Sequence, residues 1–232
     1  DKNKKNNIFK LPESKRTPST INSNAKISFV NNKMKLDITT NMSGALSSYY
    51  IGLFDNPNYE SIKKGIHNEF KKSIDVSILL DTITDISAKR GQDNISYNSK
   101  ISLENENKNI GSTIVFQLPI LSLVFENSII NLQKRNFPIE YTQYESINKY
   151  STSYNIVLPE GKKFVEIPES VSYRFKSHKY AISYKLIGES NLTVDIIANT
   201  DIANNISVSE YDAFKSYVSN IIKTKESFIG FK

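Results

Sequence analysis

Two histidines, His67 and His178, are the only side chains in this sequence whose ordinary titration falls near neutral pH. Acid–base or metal chemistry would need them beside one another or beside carboxylates. They stand far apart, and neither belongs to a ligand motif such as HExxH. His67 borders an apolar helical stripe, and His178, in FKSHKY, reads as a turn residue between strands. Asp81 and Asp85 are spaced i,i+4, which would join them on a helix face but not on a strand face across a turn. Catalysis by paired carboxylates needs two groups about 5–10 Å apart in different environments, and no spacing here selects such a pair. Ser43-Gly44 in NMSGAL lacks the pattern of a G-x-S-x-G nucleophile elbow and reads as a strand break. The eight glycines stand singly, so no phosphate-cradling loop is present. Cysteine is absent, which excludes disulfides, thiolate nucleophiles and thiolate zinc sites within the chain. Sequons at Asn94, Asn191 and Asn205 are the chance product of an Asn- and Ser-rich composition. No catalytic, cofactor-binding or metal-ligating residue is assigned, and the expectation is a non-catalytic β domain.

Composition sets the bounds for the elements that would position any site. The chain has 232 residues, 38% hydrophobic and 11% aromatic, enough for a real core in one or two domains. Its net charge of +6 is spread along the sequence. The densest basic run, Lys2 to Lys5, lies in a polar terminus without interleaved aromatics, so a solvated tail is expected and not a nucleic-acid surface. No run approaches the ~18 apolar residues of a membrane span. The sequence begins at Asp1 and not at Met, which is expected of a processed form or a piece of something longer.

Residues 1–24 read as a polar, poorly ordered linker, 25–125 as a β-rich unit with one helix, and 126–232 as a second β-rich unit ending in a helix and a short strand. Period-two alternation begins in AKISFV; Asn31-Asn32 supplies a turn, and KMKLDITTNM puts Met34, Leu36, Ile38 and Thr40 on one face. ALSSYYIGLF reads as a third strand after Gly44. A helix is expected near 57–72, capped by Asp55 or Asn56, with Pro57 at its first position and Tyr59, Ile62, Ile66 and Phe70 as its stripe. Further strands are read in IDVSILLDTITDI, NISYNSKISLE, GSTIVFQLPIL, SIINLQ, FPIEYTQY and TSYNIVL, with Pro138 suited to an edge. In IVLPEGKKFVEIPESVSYRF, Pro159 and Pro168 bracket a crossover in which Val165 and Ile167 face the core and Glu166 faces water. YAISYKLIG and NLTVDIIAN form a hairpin. Ser207 and Glu210 make a capping box for a helix near 208–223 whose stripe is Tyr211, Phe214, Val218, Ile221 and Ile222, and SFIGF closes the chain. Many short strands and few helices predict an antiparallel β-sandwich, either one sandwich or two packed subdomains.

The order of these features resembles the C-terminal β domain, of unknown function, of bacterial cell-envelope proteins that also carry a transglutaminase-like papain-fold domain. The likeness rests on LPEGKKFVEIPES followed by a hairpin, and on ISVSEYDAFKSYVSNIIKTKESFIGFK with Tyr211 as the helix tyrosine and Phe228 to Lys232 as the last strand. It extends upstream through KRNFPIEY, with Arg135 and Pro138 at the matching places, and NNKMKLDITTNMSGALSSYY, and is collinear over about 20–232. The resemblance implies a periplasmic, outer-membrane-associated or secreted location and a papain-fold domain of the same full-length chain as partner. The family's catalytic Cys-His-Asp triad belongs to that preceding domain, so no catalytic residue carries over. The expected function is an accessory module that positions a catalytic domain or binds a partner. The alternatives are a free-standing glycan- or protein-binding surface domain, which would display an exposed tyrosine platform, and a hydrolase using two carboxylates or His178 beside an acid.

Overall fold

The computed structural model describes residues 18–30, 33–74, 77–104, 108–121, 125, 127–141, 147–201 and 205–232. Strict alternation builds the first two strands, β1 (Thr20–Val30) and β2 (Lys33–Ser43). Met34, Leu36, Ile38 and Thr40 are buried as one face of β2, while Lys35, Asp37, Thr39 and Asn41 face solvent. β1 starts inside the expected linker, because Ile21 and Ser23 extend the inward row of Ala25 and Ile27 through residues of linker-like composition. The first 17 residues of that linker lie outside the described residues.

The chain then turns at Gly44, whose φ of +81° and contact with Pro18 leave no room for a side chain; a Cβ there would stand 2.4 Å from the Pro18 carbonyl oxygen. ALSSYYIGLF is not a strand. It forms helix α1 (Leu46–Phe54), which buries Ser47, Tyr50 and Ile51 at helical spacing. Tyr, Ile and Phe favour strands, but docking that stripe on the sheet decides the outcome. Helix α2 (Tyr59–Ser73) follows as expected, with Ile62, Ile66 and Phe70 buried; its cap is Asn58, which accepts from the amides of Glu60 and Ser61, so Pro57 precedes the cap. Tyr59 leaves the stripe and is exposed, its hydroxyl exchanging hydrogen bonds with the Ile83 backbone.

Strands β3 (Ile78–Ser87), β4 (Asn94–Leu103), β5 (Lys108–Ile110) and β6 (Thr113–Gln117) complete the first half. Neither SIINLQ nor FPIEYTQY becomes a strand over its described residues. Asn127–Ile130 is a 3-10 turn, and the second stretch contributes one β-bridge, Ile139 to Ile206; residues 142–146 lie outside the described residues. Ile129, Ile139 and Tyr141 are buried by packing, and of the three Ile139 alone stands in the bridge. After β7 (Lys149–Val157), the proline-bracketed stretch crosses between sheets as a short β8 (Phe164–Glu166), with Phe164 buried, Val165 exposed and Ile167 half-buried. Phe164 and not Val165 is therefore the inward residue. β9 (Val171–Phe175), β10 (His178–Ile187) and β11 (Asn191–Asn199) follow as a meander. The Ser207–Glu210 capping box then opens α3 (Tyr211–Lys225), which buries Tyr211, Phe214, Tyr217, Val218 and Ile221, and β12 (Phe228–Phe231) ends the chain.

Among the described residues two sheets form, ordered β3-β4-β2-β1-β7-β11-β10-β9 and β5-β6-β12-β8. All their pairings are antiparallel except β1 with β7. The fold is thus mainly β with sandwich-like packing and a C-terminal helix. The small sheet, α1, α2 and α3 cover one face of the large sheet; the Phe29 ring meets Phe116 at 5.2 Å and Phe231 at 5.0 Å across the two sheets. Both sheets draw strands from residues before and after the 125/126 boundary. The uncovered face is a field of small polar side chains, among them Asn22, Asn24, Thr39 and Asn41.

Candidate functional site

The large sheet's covered face is not uniformly apolar. Ser23 of β1 pairs in register with Thr40 of β2, Thr40 with Tyr97 of β4, and Ser23 with Thr152 of β7. All four point inward and are at most 5% exposed, so a row of hydroxyls crosses four strands in the core. Aliphatic packing would be expected there, because a buried hydroxyl without a partner is unfavourable.

Three members of this row open onto a cavity of about 360 Å³. Its floor adds Ile21, Met42 and Tyr150 from the strands; its roof is Leu46, Tyr49 and Tyr50 of α1, Glu69, Phe70, Lys72 and Ser73 of α2, with Leu121, Phe125, Ser128, Ile129, Tyr141 and Ile147. Gly65 lets the two roof helices close on each other, since a Cβ there would lie 2.4 Å from Leu53 Cδ1. At the rim the Tyr49 hydroxyl donates to Glu69 Oε1 at 2.9 Å, and Lys72 Nζ donates to both Glu69 oxygens at 2.8 and 2.9 Å. The rim carboxylate is thereby engaged on both oxygens. Within, Thr40 and Tyr97 stand opposite each other on paired strands, and neither Tyr50 nor Ser23 has a side-chain hydrogen bond among the described residues. Burial pushes Tyr50 and Tyr97 far above the ordinary phenol range; the hydrogen bond to Glu69, then burial, raises Tyr49. The tyrosines are un-ionised at neutral pH, so the interior offers neutral donors and acceptors against apolar walls.

The residues singled out from sequence lie elsewhere. His67 is half-buried on α2, with Nε2 donating to the Ile78 carbonyl at 3.2 Å. Asp81 accepts from the Ser102 hydroxyl and Asp85 from the Asn98 amide, each a cross-strand contact with β4. Ser43 pairs with the Thr20 hydroxyl. His178 is not a turn residue: it starts β10, is 1% exposed, and packs at ring distances of 5.0–6.5 Å among Tyr141, Phe175, Phe214 and Tyr217. Its Nδ1 accepts from the Asp201 amide at 3.3 Å, which puts the proton on Nε2, a buried atom without a partner. An acid is thus adjacent, but the contact runs through its backbone. Among the described residues most tyrosines are buried or half-buried, and the exposed Tyr49 and Tyr59 make no continuous platform. Arg135 stacks over the Tyr211 ring at 5.5 Å, and the Tyr211 hydroxyl donates to the Leu132 carbonyl at 2.8 Å, a structural clasp at the start of α3. Among the described residues no group of three or more His, Asp or Glu gathers into a metal site, and no helix is long and apolar enough to cross a membrane.

His178 gives the fold an acid limb. Burial holds its pKa below the ordinary 6.5, aided by Lys176 and opposed by Asp201. The native state therefore binds fewer protons than the unfolded chain, and stability present above pH 6.5 falls as the pH drops below it. Glu210, held down to about 2 by its bonds to Lys176 and Ser207, loses its contribution only below its ordinary 4.5. Melting temperature is expected to decline between pH 7 and pH 5 in the native chain and to flatten in His178→Phe; parallel slopes would assign the limb to other groups.

No protein-family model matches the sequence, and comparison with curated proteins finds no relative.

Proposed function

We propose that this chain is a non-catalytic accessory module of a larger envelope protein, of the transglutaminase-like type its sequence resembles, and that its work is to bind. The observation that carries the reading is the cavity between the roof helices and the sheet. Its volume falls in the range of small-molecule sites, and its lining mixes apolar walls with a few convergent hydroxyls. Turnover would need a free base, a nucleophile with an activating partner or a tuned acid. The cavity presents instead a carboxylate saturated by Tyr49 and Lys72, and phenols kept neutral by burial. Such a lining holds and orients a molecule.

The test is a fluorescence titration with 1-aminoanthracene, a neutral probe whose emission brightens in apolar surroundings. Saturable one-to-one binding is expected in the native chain. Leu46→Trp, which places a larger side chain in the roof, should weaken it at least about tenfold, a loss of about 1.4 kcal/mol, with the melting temperature nearly unchanged. Equal binding by both proteins, or none by the folded native chain, overturns the reading.

A further inference from the structure

We infer that the cavity takes a neutral amphiphile, an alkyl or aryl body carrying one hydroxyl or carbonyl head, with the head on the Ser23–Thr40–Tyr97 row and the body beneath α1 and α2. The inference rests on the binding function just proposed and names the ligand class.

Size comes first. At about 360 Å³ the cavity is more than twice the ~150 Å³ void that admits benzene, which corresponds to roughly 12 to 15 non-hydrogen atoms. The distribution of polarity comes second. The strands Thr20–Val30, Lys33–Ser43 and Asn94–Leu103 present the hydroxyls of Ser23, Thr40 and Tyr97 at the floor beside Ile21 and Met42, whereas the roof inside the rim supplies Leu46, Phe70, Leu121, Phe125 and Ile129 alongside Tyr50, Ser128 and Ser73, whose hydroxyl is bonded to backbone carbonyls. A molecule apolar throughout would strand the floor; a polyol would strand the roof. Ser23 on the floor and Tyr50 on the roof helix are each 5% exposed as residues and have no side-chain hydrogen bond among the described residues, so both hydroxyls can meet an oxygen that donates or accepts.

Charge comes third. Among the described residues, the ionisable carboxylate and amine that line the cavity, Glu69 and Lys72, sit at the rim and pair at 2.8 Å, and the described floor residues carry no charge. A carboxylate or ammonium head placed there would be desolvated without a partner, which is strongly unfavourable. A hydroxyl or carbonyl head loses little, because each of the floor's oxygens can turn to donate or accept.

The full chain, loaded with 1-aminoanthracene, is titrated below micelle concentrations with 1-decanol, decane, decanoate and decyltrimethylammonium. Decanol is expected to displace the probe at least about tenfold more effectively than the other three. In the Ser23→Ala/Thr40→Val double variant, its advantage over decane should vanish, each competitor being scored against the probe's own affinity for that variant. Thr40→Ser keeps a hydroxyl at the same place and should retain the preference; circular dichroism melts verify that each variant is folded. Equal competition by decanol and decane in the native chain overturns the head assignment. Preference for decanoate or the ammonium overturns the neutral class while leaving the binding function standing. Absence of probe binding by the folded native chain overturns both.

Discussion

Replacing Phe214 by alanine is expected to lower the free energy of unfolding by about 3–5 kcal/mol, the range for deleting a large buried aromatic. Phe214 is fully buried on α3, and its ring meets Phe175 at 5.4 Å, Phe125 at 6.0 Å, Tyr141 at 6.1 Å and His178 at 6.3 Å. Those rings come from β9, β10 and the irregular segment before β7, so one side chain joins the C-terminal helix to three other parts of the chain. The hole left behind would be walled by rigid rings that cannot collapse inward, which puts the loss at the upper part of the range. Urea unfolding measures it. A change below about 1 kcal/mol would mean that the cluster repacks and that its rings do not tie the helix to the sheet.

Tyr154→Phe is expected to destabilise by about 2–4 kcal/mol, because two backbone groups lose one shared partner and each stranded group costs about 1–3 kcal/mol. The Tyr154 hydroxyl donates to the Pro119 carbonyl at 2.8 Å and accepts from the Leu121 amide at 3.1 Å, and the side chain is fully buried in β7. Pro119 has no N–H and cannot join a ladder, so this hydroxyl does the work of a strand neighbour for the turn after β6. Leu121 also forms part of the cavity roof. The variant should therefore bind 1-aminoanthracene more weakly as well as unfold more readily. Full stability in chemical denaturation would show that solvent or a shifted backbone replaces both bonds.

Much of the fold was legible where one physical signal acted alone. Period two gave β2, β4, β7, β10 and β11 because one face of each meets the core and the other meets water. The Ser207–Glu210 box located the last helix, since a cap is a local bond needing no distant partner. Where signals conflicted, sequence misled. Leu46–Phe54 is rich in strand-favouring side chains, yet docking on β2 and β4 selects a helix; Ile129 is buried in a 3-10 turn packed on α3 and needs no ladder, while Leu132 and Phe137 stay exposed. His178 read as a turn because Lys176 and Ser177 precede it, whereas the tight connection to β9 places it in the first pair of β10. The cavity was hidden for a different reason. Its residues come from four strands, two helices and an irregular segment, and only the register unites them. One signal was present nonetheless: hydroxyl residues at 23, 40, 97 and 152 occupy the inward phase of strands whose other inward positions are largely apolar.

The parallel pairing of β1 with β7 also governs how the sheet is assembled in time. β1 to β4 and β9 to β11 are joined to sequence neighbours through antiparallel pairs, whereas the seam between the two groups links partners such as Ser19 and Asn148, 129 positions apart. Closing so long a loop forfeits about 4 kcal/mol of chain entropy before any seam bond forms. Each group can gather locally, but their union waits on a rare encounter, which makes the middle of the sheet a slow step of folding. The hydroxyl row crosses that same seam from Ser23 to Thr152, so its four-strand continuity is completed only when the two groups meet.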